Sequence, residues 1–506
     1  MRKLFLFIIT IFTLIVICFD ALCQNDNIFH DRKFWKAQPS LEEIKSKIAE
    51  GNSPIELTEH NFDAISYAIL EKNPIETVKL LLDHDGNGVN KLTHDARTYI
   101  FWAAYKGDLD LMKFLVKKGA NTNIVDQHGY SLFMFAAVTG QENQAIYDYI
   151  AELGADVISE KDRQGRNALL AYAGRTKTGK MVEYFLDKGL DIHSVDENGN
   201  GIFNHAAKTG NQAFMERLIN EYGVDIRKNA ETNENAILFA STRYGYSDEE
   251  TGRTFYEYLE GLGLDPTIVS KEGKNALHNL AFRTDNKEVF EYFLSKEVDV
   301  NQIDEEGNNV LINASAKRNK EIISLIQKST DDINLQNKDG ISSFTRALKY
   351  NKLEVAKYLE SKGADVKVID KKGYDLGYHL VDAHQNMETF IDKMDYLVSL
   401  DYDPLSTQKD GSTLLHAAID KQNVELLKYL VELGININVK DNNGQTVLHY
   451  AAMQVDDDEL LKYLIEAGAD KNMTTEFDES AYDLAKANEL LSEKNTNIDF
   501  LRTGGE

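Results

Sequence analysis

Asp410-Gly411-Ser412-Thr413-Leu414-Leu415-His416-Ala417-Ala418 recurs 33 residues later as Asn443-Gly444-Gln445-Thr446-Val447-Leu448-His449-Tyr450-Ala451-Ala452, which leads into Leu464-Ile465-Glu466-Ala467-Gly468-Ala469-Asp470. Self-similarity at this period marks a stack of small supersecondary units. Working outward, Ala96, Gly129, Gly165, Gly199, Asn233, Gly273, Gly307, Gly340, Gly373, Gly411 and Gly444 fall in one column, with successive spacings of 33, 36, 34, 34, 40, 34, 33, 33, 38 and 33. A unit of 33 residues with occasional loop insertions accounts for them.

Four residues past the column stand Ile100, Phe133, Leu169, Phe203, Ile237, Leu277, Leu311, Phe344, Leu415 and Leu448, large apolar side chains that can fill the space between units; only Gly377 breaks the series. Three positions further on, small residues recur at Ala103, Ala136, Ala206, Ala240, Ala314, Ala347, Ala418 and Ala451, where helices must approach closely. A second apolar cluster follows, as in Tyr184-Phe185-Leu186 and Tyr429-Leu430, and then a turn such as Gly119-Ala120-Asn121 or Gly363-Ala364-Asp365. Each unit therefore reads as two short helices and a turn. Neither helix buries its apolar face alone, and stacking of neighbours does.

From roughly Asn61 to Asn472 these units resemble ankyrin repeats. The family's Pro after Thr is absent, Asn replaces Thr at Asn167, Asn235, Asn275 and Asn309, and the family's His is kept only at His278, His416 and His449. The resemblance implies an all-α solenoid of about 12 helix-turn-helix units with β-turn fingers and modified ends. The expected organisation is a signal peptide at 1–23, an amino-terminal cap and degenerate first repeat at 24–92, the array at 93–472, and a capping half-repeat and tail at 473–506. Ser40-Leu41-Glu42-Glu43 has the spacing of a helix-capping box, with Leu41, Ile44 and Ile48 on one face. Gly377, and the lack of a Gly-Ala turn at Lys328-Ser329-Thr330-Asp331, mark the units starting at Gly373 and Gly307 as the expected weak points.

A chain of 506 residues exceeds the ~250–300 over which one core keeps growing, and with 5 Pro and 42% hydrophobic residues it reads as one continuous array. Its formal charge of −26 disfavours nucleic acid and anionic lipid, which need a surplus of Lys and Arg. At the amino terminus Arg2 and Lys3 precede an apolar run of 16 residues, 4–19, closed by Asp20 and Ala21-Leu22-Cys23-Gln24. The run is short for a spanning helix of ~20, and the pattern predicts cleavage after Cys23 and a periplasmic or secreted protein. An uncleaved anchor and a lipid on Cys23 are the alternatives. Cys18 and Cys23 are the only cysteines, so the cleaved chain would have no disulfide, thiolate nucleophile or Cys-ligated zinc.

Motifs for chemistry fall short of their requirements. Gly174-Arg175-Thr176-Lys177-Thr178-Gly179-Lys180 has the spacing of a phosphate loop, yet no strand precedes it and Met181 stands where Ser or Thr is needed. Asp83-His84-Asp85-Gly86-Asn87-Gly88 matches the first half of a calcium loop, with His94 at the twelfth position in place of Glu. His278, His416 and His449 fit turn-stabilising roles, and the tyrosines of the second helices (Tyr149, Tyr184, Tyr258, Tyr292, Tyr358, Tyr396, Tyr429, Tyr463) fit half-buried packing. No catalytic residue, metal or cofactor is expected. The competing reading is an enzyme or calcium-dependent binder using the loops near Gly174 or Asp83.

In ankyrin proteins partners contact the turn tips and the exposed end of the first helix, on the concave face. At positions −2, −1, +1, +9 and +10 from the column the chain places seventeen basic and eleven acidic residues, net positive on an acidic body. The candidate partner-binding residues are Arg97, Tyr105, Lys106, Tyr130, Arg163, Arg166, Lys208, Arg243, Lys271, Lys274, Phe282, Arg283, Lys349, Tyr350, Lys371, Lys372 and Tyr374; Arg175 shares these positions. Aromatic and Arg side chains are the usual anchors of protein interfaces. The expected function is an extracytoplasmic scaffold or adaptor binding another protein, one with an acidic patch if the asymmetry marks a recognition surface. An inhibitor or immunity-type factor masking a partner enzyme is the alternative, and oligomeric state is left open.

Overall fold

A computed structural model describes residues 27–227, 232–242 and 252–502. The expected signal peptide, Cys18, Cys23 and the cleavage point lie outside the described residues. The described residues hold 28 α-helices and no strand, only isolated antiparallel bridges such as Val195 with Gly201 and Gln336 with Ser342 at the bases of the turns. No helix among them is long and apolar enough to cross a membrane.

The helices come in pairs because the column residue turns the chain. All eleven column positions have φ between 57° and 93°, the left-handed region that glycine enters without steric cost. Asn61 at 58° and Asp478 at 56° adopt it too, so the column runs one unit further in each direction. Two residues after the glycine a capping side chain starts the first helix: the Asn167 amide oxygen accepts from the Leu170 amide at 3.0 Å, and that of Asn309 from the Ile312 amide at 2.9 Å. The Asn-for-Thr replacements therefore keep the capping function.

The chain divides into two compact units, 1–240 and 241–506. In the first, Arg32–Lys36 and Leu41–Ala49 form the amino-terminal end. Trp35 is fully buried, and its indole N–H donates to the Phe29 carbonyl at 3.0 Å. The Ser40 hydroxyl caps Leu41–Ala49 by accepting from the Glu43 amide, and Ile44 is its buried contact. Ala64–Leu70 and Ile75–Leu82 already make a full helix pair behind a turn at 58–62. From there the first helices pack in series, Ala64–Leu70 on Tyr99–Lys106, then Leu132–Val138, Ala168–Ala173 and Ile202–Ala207.

The second unit repeats the arrangement. Ala276–Leu280, Val310–Ser315, Ser343–Tyr350, Leu376–Asp382, Leu414–Ile419, Val447–Gln454 and Ala481–Ala487 pack in series, and Glu489–Glu493 gives the last of them a short partner. In both units the large apolar column and the alanine column are buried, at 1% exposure or less. Successive fingers are joined by single backbone bonds, for example Gln127 to Asp95 at 2.9 Å in the first unit and Lys371 to Asp339 at 2.9 Å in the second.

Both expected weak points are filled by other means. A Cβ on Gly377 would lie 1.9 Å from the Tyr402 hydroxyl oxygen, so the missing side chain is replaced by a tyrosine from the following turn. Where Gly-Ala is absent, the Thr330 hydroxyl donates to the Ile326 carbonyl at 3.0 Å and the Asp331 amide to Asn301 Oδ1 at 2.8 Å.

Candidate binding face

In the first unit the fingers carry Arg97, Tyr130, Arg163 and Arg166, and the ends of first helices carry Tyr105, Lys106, Arg175 and Lys208. Arg97 is consumed internally: its guanidinium reaches Asp95 at 2.9 Å and Asp126 at 2.8 Å, and lies over the rings of Trp102 (5.3 Å) and Phe135 (4.6 Å). Arg166 pairs with Asp162 at 2.6 Å and approaches the half-buried Tyr130 hydroxyl at 3.4 Å. Arg163 is exposed and donates to the Gln127 carbonyl, 3.1 Å away. Tyr105 is 42% exposed, with the Lys106 ammonium 5.5 Å from its ring centroid. Lys208 is half-buried over the Phe239 ring at 4.8 Å. Burial pushes its pKa down to about 8, and Arg166 and Arg175 add to that push against Glu234 and Asp196.

In the second unit Lys271, Lys371 and Lys372 are exposed at finger tips, while Lys274 turns onto Glu272 at 2.8 Å. Phe282 (36% exposed) and Arg283 follow the helix Ala276–Leu280, and Tyr350 is 58% exposed beneath the Lys349 ammonium at 5.2 Å. Lys349 also pairs with Asp382 at 2.8 Å, a carboxylate shared with Lys421 at 3.4 Å. Tyr374 is half-buried, stacked on Tyr378 with centroids 3.8 Å apart and its hydroxyl on Asp410 at 3.2 Å. Arg243 lies outside the described residues.

Three groups at these surfaces escape the positions chosen from sequence. Arg346, six residues past Gly340, is half-buried and reaches Asn308 Oδ1 at 3.2 Å. Trp102, Phe135 and Phe239 share that sixth position in the first unit, and the recurrence of aromatics there is the signal that could have found them. Phe477, 81% exposed at the tip of the last finger, follows only once the column is extended to Asp478.

The motif-like loops are closed on themselves. The amides of Thr178 and Gly179 donate to the Thr176 hydroxyl at 3.1 and 2.9 Å, and that of Met181 to the Tyr172 hydroxyl at 3.2 Å, which spends the donors a phosphate would need. In the other loop the Asn87 amide group donates to the Leu81 and Pro54 carbonyls, and Asp83 faces Lys118. No cluster of three His, Cys, Asp or Glu side chains is placed to hold a metal among the described residues. His416 holds Thr413 and the Gln445 carbonyl, and His449 holds Thr446 and the Met473 carbonyl. Burial lowers the pKa of both.

Comparison with known proteins agrees with this geometry. The family described as Ankyrin repeats (3 copies) matches residues 65–161, 248–339 and 380–475, more than half of the chain. An ankyrin repeat protein of Acanthamoeba polyphaga mimivirus is 23% identical over 252 residues, 48% of this chain and 31% of the relative. The nuclear factor NF-kappa-B p105 subunit of Gallus gallus is 31% identical over 166 residues, 32% of this chain and 17% of the relative. An ankyrin repeat protein of Rickettsia felis is 26% identical over 368 residues, 66% of this chain and 92% of the relative. The chain spans less than a third of the length of the first two.

Proposed function

The chain belongs to the ankyrin repeat family, and on that premise we propose that it is a protein-binding scaffold acting outside the cytoplasm, with fingers and first-helix ends that receive an acidic partner. The family supplies the premise that such units bind proteins. The observation that carries the reading is the recurrence of exposed aromatics at the ends of first helices in both units: Tyr105 with Lys106 beside its ring, Phe282, and Tyr350. Amphipathic rings flanked by cations desolvate well and hold a register against carboxylates. The extracytoplasmic part rests on the segment 1–23 alone.

Photocrosslinking amino acids at Tyr105, Phe282 and Tyr350, compared with Tyr358 and Tyr463 on second helices, test the reading in the native cell. One protein species captured at the first three and absent from the last two is the expected outcome. Capture at all five alike, or at none, refutes the face. Intact mass of the exported protein should begin at Gln24; retention of residues 1–23, or lipid on Cys23, refutes the expected processing.

A further inference from the structure

We propose that a cleft of the first unit, between the finger that turns at Gly129 and the turn at 153–155, binds the ammonium group of a lysine side chain presented by a protein, with Glu160 as its counterion. The cleft measures about 190 Å³. Sites for drug-sized ligands run to ~300–1,000 Å³, so this one suits a single side chain. Leu132, Phe133 and Ile150, all buried, line it, and Val125 stands 57% exposed at its edge. Glu160 and Ser131 meet in its wall, where the Ser131 hydroxyl donates to Glu160 Oε2. None of these residues is among the candidate partner-binding positions. The cleft's preference for an ammonium stands on its own geometry, while the assignment of that ammonium to a protein rests on the scaffold reading.

Among the described residues no lysine or arginine pairs with the half-buried Glu160. Burial pushes its carboxyl above the usual carboxylate range; the Ser131 hydroxyl opposes that push, and the charge of nearby Asp156 adds to it. Asp156 brings no cation of its own: it accepts from the Ile158 and Ser159 amides, both at 3.1 Å, and from the Ser159 hydroxyl at 2.6 Å. An entering ammonium relieves both penalties, because opposite charge within a few ångströms favours the ionised carboxylate. The choice of lysine over arginine follows from Ser131. With Oε2 taken, the carboxylate cannot offer the parallel pair of oxygens that a guanidinium fork prefers. Oε1 suits a compact ammonium, whose stem can lie along the apolar lining. A comparable cleft two repeats on, lined by Val195, Phe203, Asp225 and Arg227 among others, already holds its cation, since Arg227 Nε donates to Asp225 at 2.8 Å.

The test uses the full chain with labelled Val, Leu and Ile methyl groups, titrated in the NMR tube with a capped Gly-Gly-Lys-Gly-Gly peptide, its norleucine and arginine counterparts, and n-butylammonium. The lysine peptide should shift the methyl signals of Val125, Leu132 and Ile150 saturably and leave those of Val195 and Ile202 in the comparable cleft unmoved. Norleucine keeps the stem and lacks the charge; it and arginine should bind about tenfold or more weakly, the order expected for losing or misfitting a close charge pair. Glu160→Gln should weaken the lysine peptide by a similar factor. In the parent protein affinity should fall on acidification as the Glu160 carboxyl protonates, and in Glu160→Gln it should not. No saturable shift, a norleucine peptide as tight as the lysine one, or undiminished affinity in Glu160→Gln overturns the site. The peptide comparison needs no variant, so it decides even if Glu160→Gln folds poorly. Equal affinity for n-butylammonium and the lysine peptide overturns the protein source. Each of these leaves the crosslinking result untouched, so a failed cleft is distinguishable from a failed scaffold.

Discussion

Restoring the periodic pattern at Gly377 should damage the protein. The position lies inside the helix Leu376–Asp382, where Gly→Ala alone is worth about 1 kcal/mol in favour of the helix. Against that, the new Cβ would stand 1.9 Å from the Tyr402 hydroxyl oxygen and 2.5 Å from its Cζ. The ring must leave, and overpacking of this kind costs about 1–3 kcal/mol. Its hydroxyl also loses the Asp375 carboxylate, now 3.1 Å away, and a hydrogen bond to a charged group contributes about 1.5–3 kcal/mol. Asp375 is also the cap of that helix, accepting from the Tyr378 amide at 3.0 Å. The balance is a loss of about 2–4 kcal/mol for Gly377→Ala, and more for Gly377→Leu. Because repeat arrays open locally, the assay is amide exchange. Protection over 373–410 should fall about 30-fold or more, each 1.4 kcal/mol being tenfold, while amides of the first unit stay unchanged. Combining Gly377→Leu with Tyr402→Ala should recover much of the loss. A Gly377→Ala protein as protected as the parent, or a double variant no better than Gly377→Leu alone, refutes the filling argument.

Ala96→Gly should stabilise by about 0.5–1 kcal/mol, since Ala96 sits at φ 57° and a left-handed L-residue costs about 1–2 kcal/mol; the melting temperature reports it, and Asn233→Gly should gain less. Arg97→Met should cost about 3–5 kcal/mol by leaving the fully buried Asp126 side chain without its cation, read as lost amide protection across 93–152, whereas Lys371→Gln should shift stability by no more than about 0.5 kcal/mol. Burial holds His205, His278, His379, His416 and His449 below the ordinary imidazole pKa. Their stabilising share is therefore complete above pH ~6.5 and is lost as pH falls from there toward the folded values. Melting temperature should decline on acidification from that point, and less steeply in a His205→Asn variant.

The fold was legible because its period is enforced by backbone geometry. A left-handed residue is needed at every turn, and glycine advertises it at nine of the eleven aligned positions. Where Asn61 and Asp478 supply the same conformation, the advertisement fades, which is why the end units looked incomplete. The buried columns followed from the same register. What sequence could not give is the occupant of a vacancy: Gly377 is visible as a gap, but Tyr402 fills it from the next turn, outside any column.

The candidate binding face was legible as a count of charges and not as a set of available ones. Arg97 and Asp126, or Lys349 and Asp382, stand 29 and 33 residues apart in the chain yet touch in space, because stacking sets each position beside its counterpart one unit away. A surplus of basic residues at the turns is thus partly spent holding neighbours together, and such pairs, once satisfied, offer a partner little. On the proposed reading, recognition depends on cations whose counterpart one unit away is missing. Lys208 meets Phe239 where an acid would pair it, and Lys371 and Lys372 project from their finger with no acid among the described residues. On the proposed reading, specificity for an acidic partner would rest on these few positions, with Lys208 half-buried and Lys371 and Lys372 exposed.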